Sequence, residues 1–215
     1  MMAGAPQALD SNHLLDGFDC GRPALNEWLI RHARQAQASG SAKTYVVVEG
    51  ARVSGYFSLT VGQADVLEAP LRIRKGMGSY PIPVVILARL AVSLQDQGRG
   101  IGVGMLQEAI RRSAAISDQA GVRALLTHPI DDQASRFYQR FGFERSPIRE
   151  QQLLLLLKDA RRLLSSLAGP GSAANVGHVS SGKRPGGYSE WLPARLSLST
   201  PLFAATVRSS DASLR

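Results

Sequence analysis

Between Leu87 and Gly104 the chain reads LARLAVSLQDQGRGIGVG, an apolar β-type run that gives way to glycine at positions 98, 100, 102 and 104. Glycine at every second position lets backbone N–H groups come against a ligand without side-chain bulk. Val84 to Leu87 and Leu90 to Val92 read as a buried strand, Gln95-Asp96 as a polar break, and Met105 to Ala115 as the helix that follows. The glycines therefore stand at or near a helix N-terminus. Unpaired amides and the positive end of the helix dipole favour a phosphate there.

Three phosphate-binding patterns compete for QDQGRGIGVG. A Walker A loop needs Gly-Lys-Ser/Thr, to bring an ammonium to the phosphates and a hydroxyl to magnesium, and no such tripeptide follows Gly104. A dinucleotide fingerprint needs a third glycine five residues after the first, where this chain has Val103, and it belongs at the start of a βαβ unit. The pattern Gln/Arg-x-x-Gly-x-Gly/Ala after a strand is met at every specified position by Gln97, Gly98, Arg99, Gly100, Ile101 and Gly102.

The elements that must position this turn follow from periodicity. A helix is predicted from Gly21-Arg22-Pro23, with Leu25, Trp28, Leu29, His32, Ala33 and Ala36 on its buried stripe and Glu27, Arg31, Arg34 and Gln35 outward. Thr44 to Glu49 and Val53 to Val61 read as a hairpin split at Gly50, and residues 62 to 81 as a long loop with at most a short helix. After the glycine run, Val103, Leu106, Ile110 and Ala114 share one helix face. Val122 to Thr127 is then a strand, Asp131-Asp132 an N-cap, and Ala134, Phe137, Tyr138 and Phe141 the inner face of a short helix stopped by Gly142. Gln151 to Leu157 is either a last strand or part of a helix, because a continuous leucine run has no period. From Ser166 onward the chain turns rich in Ser, Gly, Pro and Ala, which predicts a domain over residues 1–165 and a disordered tail over 166–215.

Composition sets the outer bounds. At 44% hydrophobic and 20% charged the chain is globular, and 25 Lys+Arg against 17 Asp+Glu give a net charge of +8 that permits a polyanionic partner. One cysteine, Cys20, excludes an intramolecular disulfide and any multi-cysteine metal site. Without a signal-like start or an apolar run near membrane-spanning length, the expected location is cytoplasmic, and no metal is expected.

The strand LARLAVSLQ, the QGRGIG turn and the run Ala134 to Phe143, ASRFYQRFGF, resemble the GNAT acyltransferase family. The resemblance implies an α+β fold, a central mixed β-sheet flanked by helices, and an N-acetyltransferase that uses acetyl-CoA as co-substrate. It implies that the amides of Gln97, Gly98, Arg99, Gly100, Ile101 and Gly102 hold the pyrophosphate of acetyl-CoA. Leu90, Ala91 and Val92 then meet the pantetheine arm and acetyl carbonyl, Phe137 contributes to the cofactor site, and Tyr138 is the general acid for the leaving thiolate. A phenol of ordinary pKa about 10 stays protonated where a thiol of about 8.5 begins to ionise. The alternative for Tyr138 is a core aromatic, and for the Ala91 and Val92 amides ordinary ladder pairing.

Residues Phe18 to Gly21, LNEWLIRHARQA, SAKTYVVVEG, GYFSL, PIPVVILARLAV and ALLTHPIDDQASRFYQRFGF are similar, over roughly residues 9 to 164, to the toxin subgroup of bacterial type II toxin–antitoxin modules. That subgroup acetylates the α-amino group of aminoacyl-tRNA and pairs with a ribbon-helix-helix antitoxin, which makes these the expected acceptor and partner, with a homodimer also expected. Arg31, Arg34, Lys43, Arg72, Arg74 and Lys75 are the candidate tRNA contacts, expected to flank the acetyl site. Acetylation of a small amine or protein N-terminus, and a non-catalytic CoA-binding or antitoxin-binding module, are the other readings. His128 is considered as a base, though a structural role is favoured. Cys20 lies outside both motifs, so no covalent enzyme intermediate is expected.

Overall fold

A computed structural model describes residues 4–160, and the tail expected over 166–215 lies outside them. Seven strands form one sheet in the order β1-β2-β3-β4-β5-β7-β6. They are β1 (Gln7–Ala8), β2 (Lys43–Glu49), β3 (Arg52–Ala64), β4 (Ile82–Val92), β5 (Ala124–Thr127), β6 (Glu144–Arg145) and β7 (Leu153–Leu156). All neighbours are antiparallel except β4 and β5, which run parallel and are joined by the long helix α4 (Ile101–Gln119). This is the mixed sheet with flanking helices that the resemblance implied.

Side chains alternate between the two faces of the sheet except at two register shifts, one at Ser54 in β3 and one in β4. Val47, Phe57, Leu59, Val85, Leu87, Leu125, Leu153 and Leu155 point to one core, against α4 and α5 (Asp132–Gln139). Val46, Tyr56 and Val53 point to the other, against the helices after residue 22. Ala64, Val84, Leu126 and Leu154 share that second face further along, against α3 (Leu71–Arg74). The leucine run of β7 is apolar on both sides because both of its faces are covered, and the chain turns helical from Leu157. Each of the two readings of that run is therefore right for part of it.

One residue breaks the alternation of β4. Ser58 pairs with Arg89 and Leu59 with Leu87, so Ala88 is an extra residue opposite no partner. Before the bulge Val85 and Leu87 face α4; after it Leu90 and Val92 do. The bulge falls where β4 parts from β5, since their pairing runs from Val84↔Ala124 to Leu87↔Thr127 and then stops. Residues 88 to 92 keep β3 as a neighbour and, among the described residues, have no strand on the other side.

The first helix is not continuous. It comprises α1 (Pro23–Glu27), a π-helical turn Trp28–His32 and α2 (Ala33–Ala38). Leu25, Leu29 and Ala33 are buried as expected, but His32 is exposed rather than packed. The wider π turn shifts the helical phase and carries His32 out of the stripe. The start of α1 is fixed by its own polar turn, in which the Asp19 carboxylate accepts from the Gly21 amide and from the Asn26 side chain, each at 2.8 Å.

Gly55, opposite Val92, is where α4 crosses closest to the sheet. A Cβ there would lie 2.9 Å from Met105 Cε and 3.1 Å from the carbonyl oxygen of Ala91. Gly55→Ala is expected to destabilise the protein by about 1–3 kcal/mol through overpacking, read as a lower denaturation midpoint. An unchanged midpoint would mean that α4 is not seated this tightly.

Candidate active site

The QGRGIG turn is built in two parts. Gly98 and Gly100 have φ of +79° and +80°, the left-handed region, and a Cβ on either would meet no protein atom within 4 Å. Gly102 and Gly104 instead lie inside α4, which begins at Ile101, four residues before the start expected from its apolar residues. Burial of Ile101, Met105 and Leu106 against the sheet outweighs the poor helix propensity of glycine. Gly100 is the N-cap and offers no side chain to the first turn, and the first intrahelical bond there runs from the Gly104 amide to the Gly100 carbonyl at 3.1 Å. The amides of Ile101, Gly102 and Val103 therefore open onto the turn as donors. A pyrophosphate fits this cradle: backbone donors, a helix dipole, and open space above two glycines.

The side chains of the turn are engaged within the protein, which leaves the pyrophosphate to its amides. Gln97 donates from Nε2 to the Val92 carbonyl at 3.1 Å, tying the turn to the end of β4. Arg99 is paired with Asp96 and with Glu49, the latter at 3.3 Å. Asp96 is 1% exposed and also holds Arg52 at 2.7 Å. Burial pushes its carboxyl up, but the hydrogen bonds and charge of Arg52 and the bond from Arg99 outweigh this and hold it below the ordinary carboxylate value. This carboxylate was not singled out in the sequence, where Gln95-Asp96 reads only as a polar break.

Asp96→Asn is expected to cost about 3 kcal/mol, the low end for a broken buried pair, because Arg52 and Arg99 stay partly solvated and keep Glu49. The linkage has a definite sign. A depressed folded value contributes stability above the unfolded carboxyl range, about pH 4, and that contribution is lost as pH falls through the folded value. Acid titration of unfolding should therefore show a shallower loss in Asp96→Asn; an identical acid limb would contradict the assignment.

Tyr138 sits on the inner face of α5, whose N-cap Asp131 accepts from the Ala134 amide at 2.8 Å. Its ring is fully buried between Phe137, at 5.3 Å, and Phe143, at 5.4 Å. Among the described residues its hydroxyl makes no well-formed hydrogen bond, although the Thr127 hydroxyl is close enough to lower the phenol's value against the larger rise from burial. Thr127, the last β5 residue paired to β4, gives its own proton to the Leu87 carbonyl at 3.0 Å. Burial pushes the phenol well above its ordinary value of 10, so it remains protonated. A buried O–H without an acceptor has a desolvation penalty that a ligand acceptor would relieve. Leu90 and Phe137 belong to the same buried cluster as Tyr138, and the unpaired edge of residues 88 to 92 lies in that region.

The residues expected for the cofactor half come together where β4 and β5 part: the glycine turn at the end of β4, the free edge of β4, and the Tyr138 hydroxyl. Above it, Arg22 reaches from the start of α1 to Asp131 at 2.8 Å. His128 lies on the opposite face of β5 from Thr127. Burial holds its imidazole below the ordinary value, Nε2 is 3.3 Å from Gln152 Oε1, and Nδ1 is buried without a partner. Cys20 donates to Asn26 Oδ1 at 3.0 Å, and burial pushes its thiol up, which does not suit a nucleophile.

The six basic residues considered for tRNA fall in three separate places: Arg31 and Arg34 on the helices after residue 22, Lys43 on β2, and Arg72, Arg74 and Lys75 at α3. Arg31 pairs with Glu27, Arg34 donates to the His13 carbonyl at 2.7 Å, and Arg72 pairs with Glu144 and Asp159. Arg72, Arg74 and Lys75 belong to α3 and its end, tied by Arg123 to the start of β4, where the Arg123 amide donates to Pro83. Pro83 is nine residues along β4 from Val92, about 30 Å. Lys43 lies at the exposed start of β2. The sequence shows basic character but not which sheet end carries it.

A GNAT acetyltransferase domain matches residues 40–145. The chain belongs to the GNAT acetyltransferase family and is an N-acetyltransferase with acetyl-CoA as its co-substrate. Within that family it belongs to the tRNA-acetylating toxin subgroup. It is 38% identical over 160 residues to the tRNA-acetylating toxin of Mycobacterium tuberculosis (strain ATCC 25618 / H37Rv), covering 74% of this chain and 96% of that one. It is also similar to AtaT complexed with acetyl-methionyl-tRNAfMet, with a TM-score of 0.69, 25% identity, and coverage of 74% of this chain and 98% of that one. AtaTR bound with acetyl-CoA has a TM-score of 0.61 at 25% identity, covering 74% and 97%.

Proposed function

We propose that this protein transfers the acetyl group of acetyl-CoA to the α-amino group of aminoacyl-tRNA and thereby blocks peptide-bond formation. The observation that carries the acceptor is the relative of 38% identity, a tRNA-acetylating toxin matched over 96% of its length. The site supplies the chemistry. Acetyl-CoA brings an activated thioester; the amides at Gly98 to Val103 hold its pyrophosphate and the free edge of β4 aligns its arm. The Val92 amide, on the free edge of β4, orients the carbonyl, while that of Ala91 faces β3 in ordinary ladder pairing. The α-amine of an aminoacyl ester has a low pKa, arrives largely neutral, and attacks directly without a dedicated base. Tyr138 donates a hydrogen bond that stabilises the departing thiolate, and the proton shed by the amine as the amide forms neutralises the sulfur.

A ribbon-helix-helix antitoxin and a homodimer are the assemblies that accompany this reading, and the cytoplasm is its setting. Among the described residues no helix is long and apolar enough to cross a membrane. Added to a cell-free translation mixture, the protein should arrest synthesis only when acetyl-CoA is supplied. Arrest without acetyl-CoA, or full translation with it, contradicts the proposal.

A further inference from the structure

Arg89 lies two residues beyond the last β4–β5 pair, at Leu87. It is on the face that carries Ala91 and Tyr56, opposite the face that carries Leu90 and Tyr138. Its guanidinium carbon is 3.9 Å from the centroid of the Trp28 ring. Behind it Trp28 stacks on Tyr56 at 5.9 Å with planes 14° apart, and Phe18 meets Tyr56 edge-on at 5.5 Å. Tyr56 is fully buried, and its hydroxyl donates to the Leu25 carbonyl at 2.8 Å. The column is anchored at its inner end and presents a guanidinium at its outer end. Trp28 is the first residue of the π-helical turn, a geometry that recurs at functional sites.

This column gives Arg89 a ring face but no acceptor. Arg22, Arg52 and Arg99 each have a carboxylate. Arg89 has no carboxylate or hydrogen-bond partner among the described residues, and burial depresses its pKa. A guanidinium stays charged in this setting and carries five N–H donors in its plane. With one face covered by indole, its edge donors remain, and they match the oxygens of a phosphate. The pyrophosphate cradle belongs to the end of β4 and to α4, on the other face. The gap between β4 and β5 connects the two faces.

We propose that Arg89, held flat on Trp28, binds a backbone phosphate in the single-stranded 3′ end of the acceptor tRNA and sets its aminoacyl end against the free edge of β4. This rests on the aminoacyl-tRNA reading above, and it places the acceptor's entry on the sheet face opposite Tyr138. Cofactor and acceptor then meet through the gap.

The test uses the full chain and an RNA hairpin with a single-stranded 3′ overhang, followed by fluorescence anisotropy over a salt series. Arg89→Gln should raise the hairpin Kd about tenfold and reduce the slope of log affinity against log salt by about 0.7. The acetyl-CoA Kd should stay unchanged. Arg89→Lys should restore the slope but only part of the affinity, since an ammonium lacks the planar fork. An unchanged hairpin Kd and slope in Arg89→Gln would overturn the inference, as would an equal loss of acetyl-CoA affinity, which would assign Arg89 to the fold or the cofactor. Acetylation of charged tRNA by the unaltered protein, measured alongside, separates the two readings. Transfer with Arg89-independent hairpin binding removes the phosphate site alone; Arg89-dependent binding without transfer removes the reaction alone.

Discussion

Tyr138→Phe lowers kcat for acetyl transfer by about 10²- to 10⁴-fold and leaves the thermal midpoint unchanged or raised. The two halves of this expectation come from one observation. The Tyr138 hydroxyl is buried and, among the described residues, makes no well-formed hydrogen bond beyond a weak approach to Thr127, so its removal costs little and relieves a desolvated dipole. A core tyrosine whose hydroxyl served the fold would behave in the opposite way, losing stability and keeping activity. Since burial holds the phenol protonated, the alkaline limb of the rate profile should not report Tyr138. Steady-state kinetics and a melting curve on the same preparation decide the matter; near-normal kcat with a lowered midpoint would return Tyr138 to the core.

The second large effect is expected in affinity. Gly100→Ala forces a side chain into φ +80°, which costs roughly 1–2 kcal/mol, and the chain relieves that strain by turning the amides of the cradle. No protein atom lies within 4 Å of the new Cβ, so packing within the protein does not oppose the substitution. Loss of one charge-assisted amide–phosphate bond, about 1.5–3 kcal/mol, corresponds to roughly 10- to 100-fold in the acetyl-CoA Kd. The defect should therefore appear in KM for acetyl-CoA more than in kcat, the reverse of Tyr138→Phe. Calorimetric titration with CoA measures it, and wild-type affinity would place the pyrophosphate elsewhere.

The elements that carry the candidate cofactor residues were legible in the sequence because their signals are local. A strand, a glycine turn and a helix follow one another within Ile82 to Gln119, and the Asp131 cap announces the helix that carries Tyr138. What was not legible depends on pairing between distant segments. Nothing in LARLAV marks Ala88 as a bulge, since the extra residue is defined only by its register against Ser58 and Leu59. Asp96 reads as a surface break until Arg52, from a different strand, reaches it. The π-helical turn that exposes His32 and aims Trp28 is likewise invisible to a period of 3.6, which places Trp28 and His32 on one stripe. The basic residues illustrate the same limit: sequence counts their charges, but their ion pairs and the end of the sheet they occupy are set by tertiary contacts.

These features make the splay between β4 and β5 the organising element of the protein. On one side stand a turn of donors and a protonated phenol, where we propose the thioester binds; on the other is a strand edge beside Arg89. Incubation of the purified protein with acetyl-CoA and a charged tRNA pool, followed by mass spectrometry of the aminoacyl ends, tests this most directly. The account predicts N-acetylated aminoacyl ends that depend on Tyr138. Active, acetyl-CoA-binding protein that leaves every aminoacyl end unmodified would contradict it.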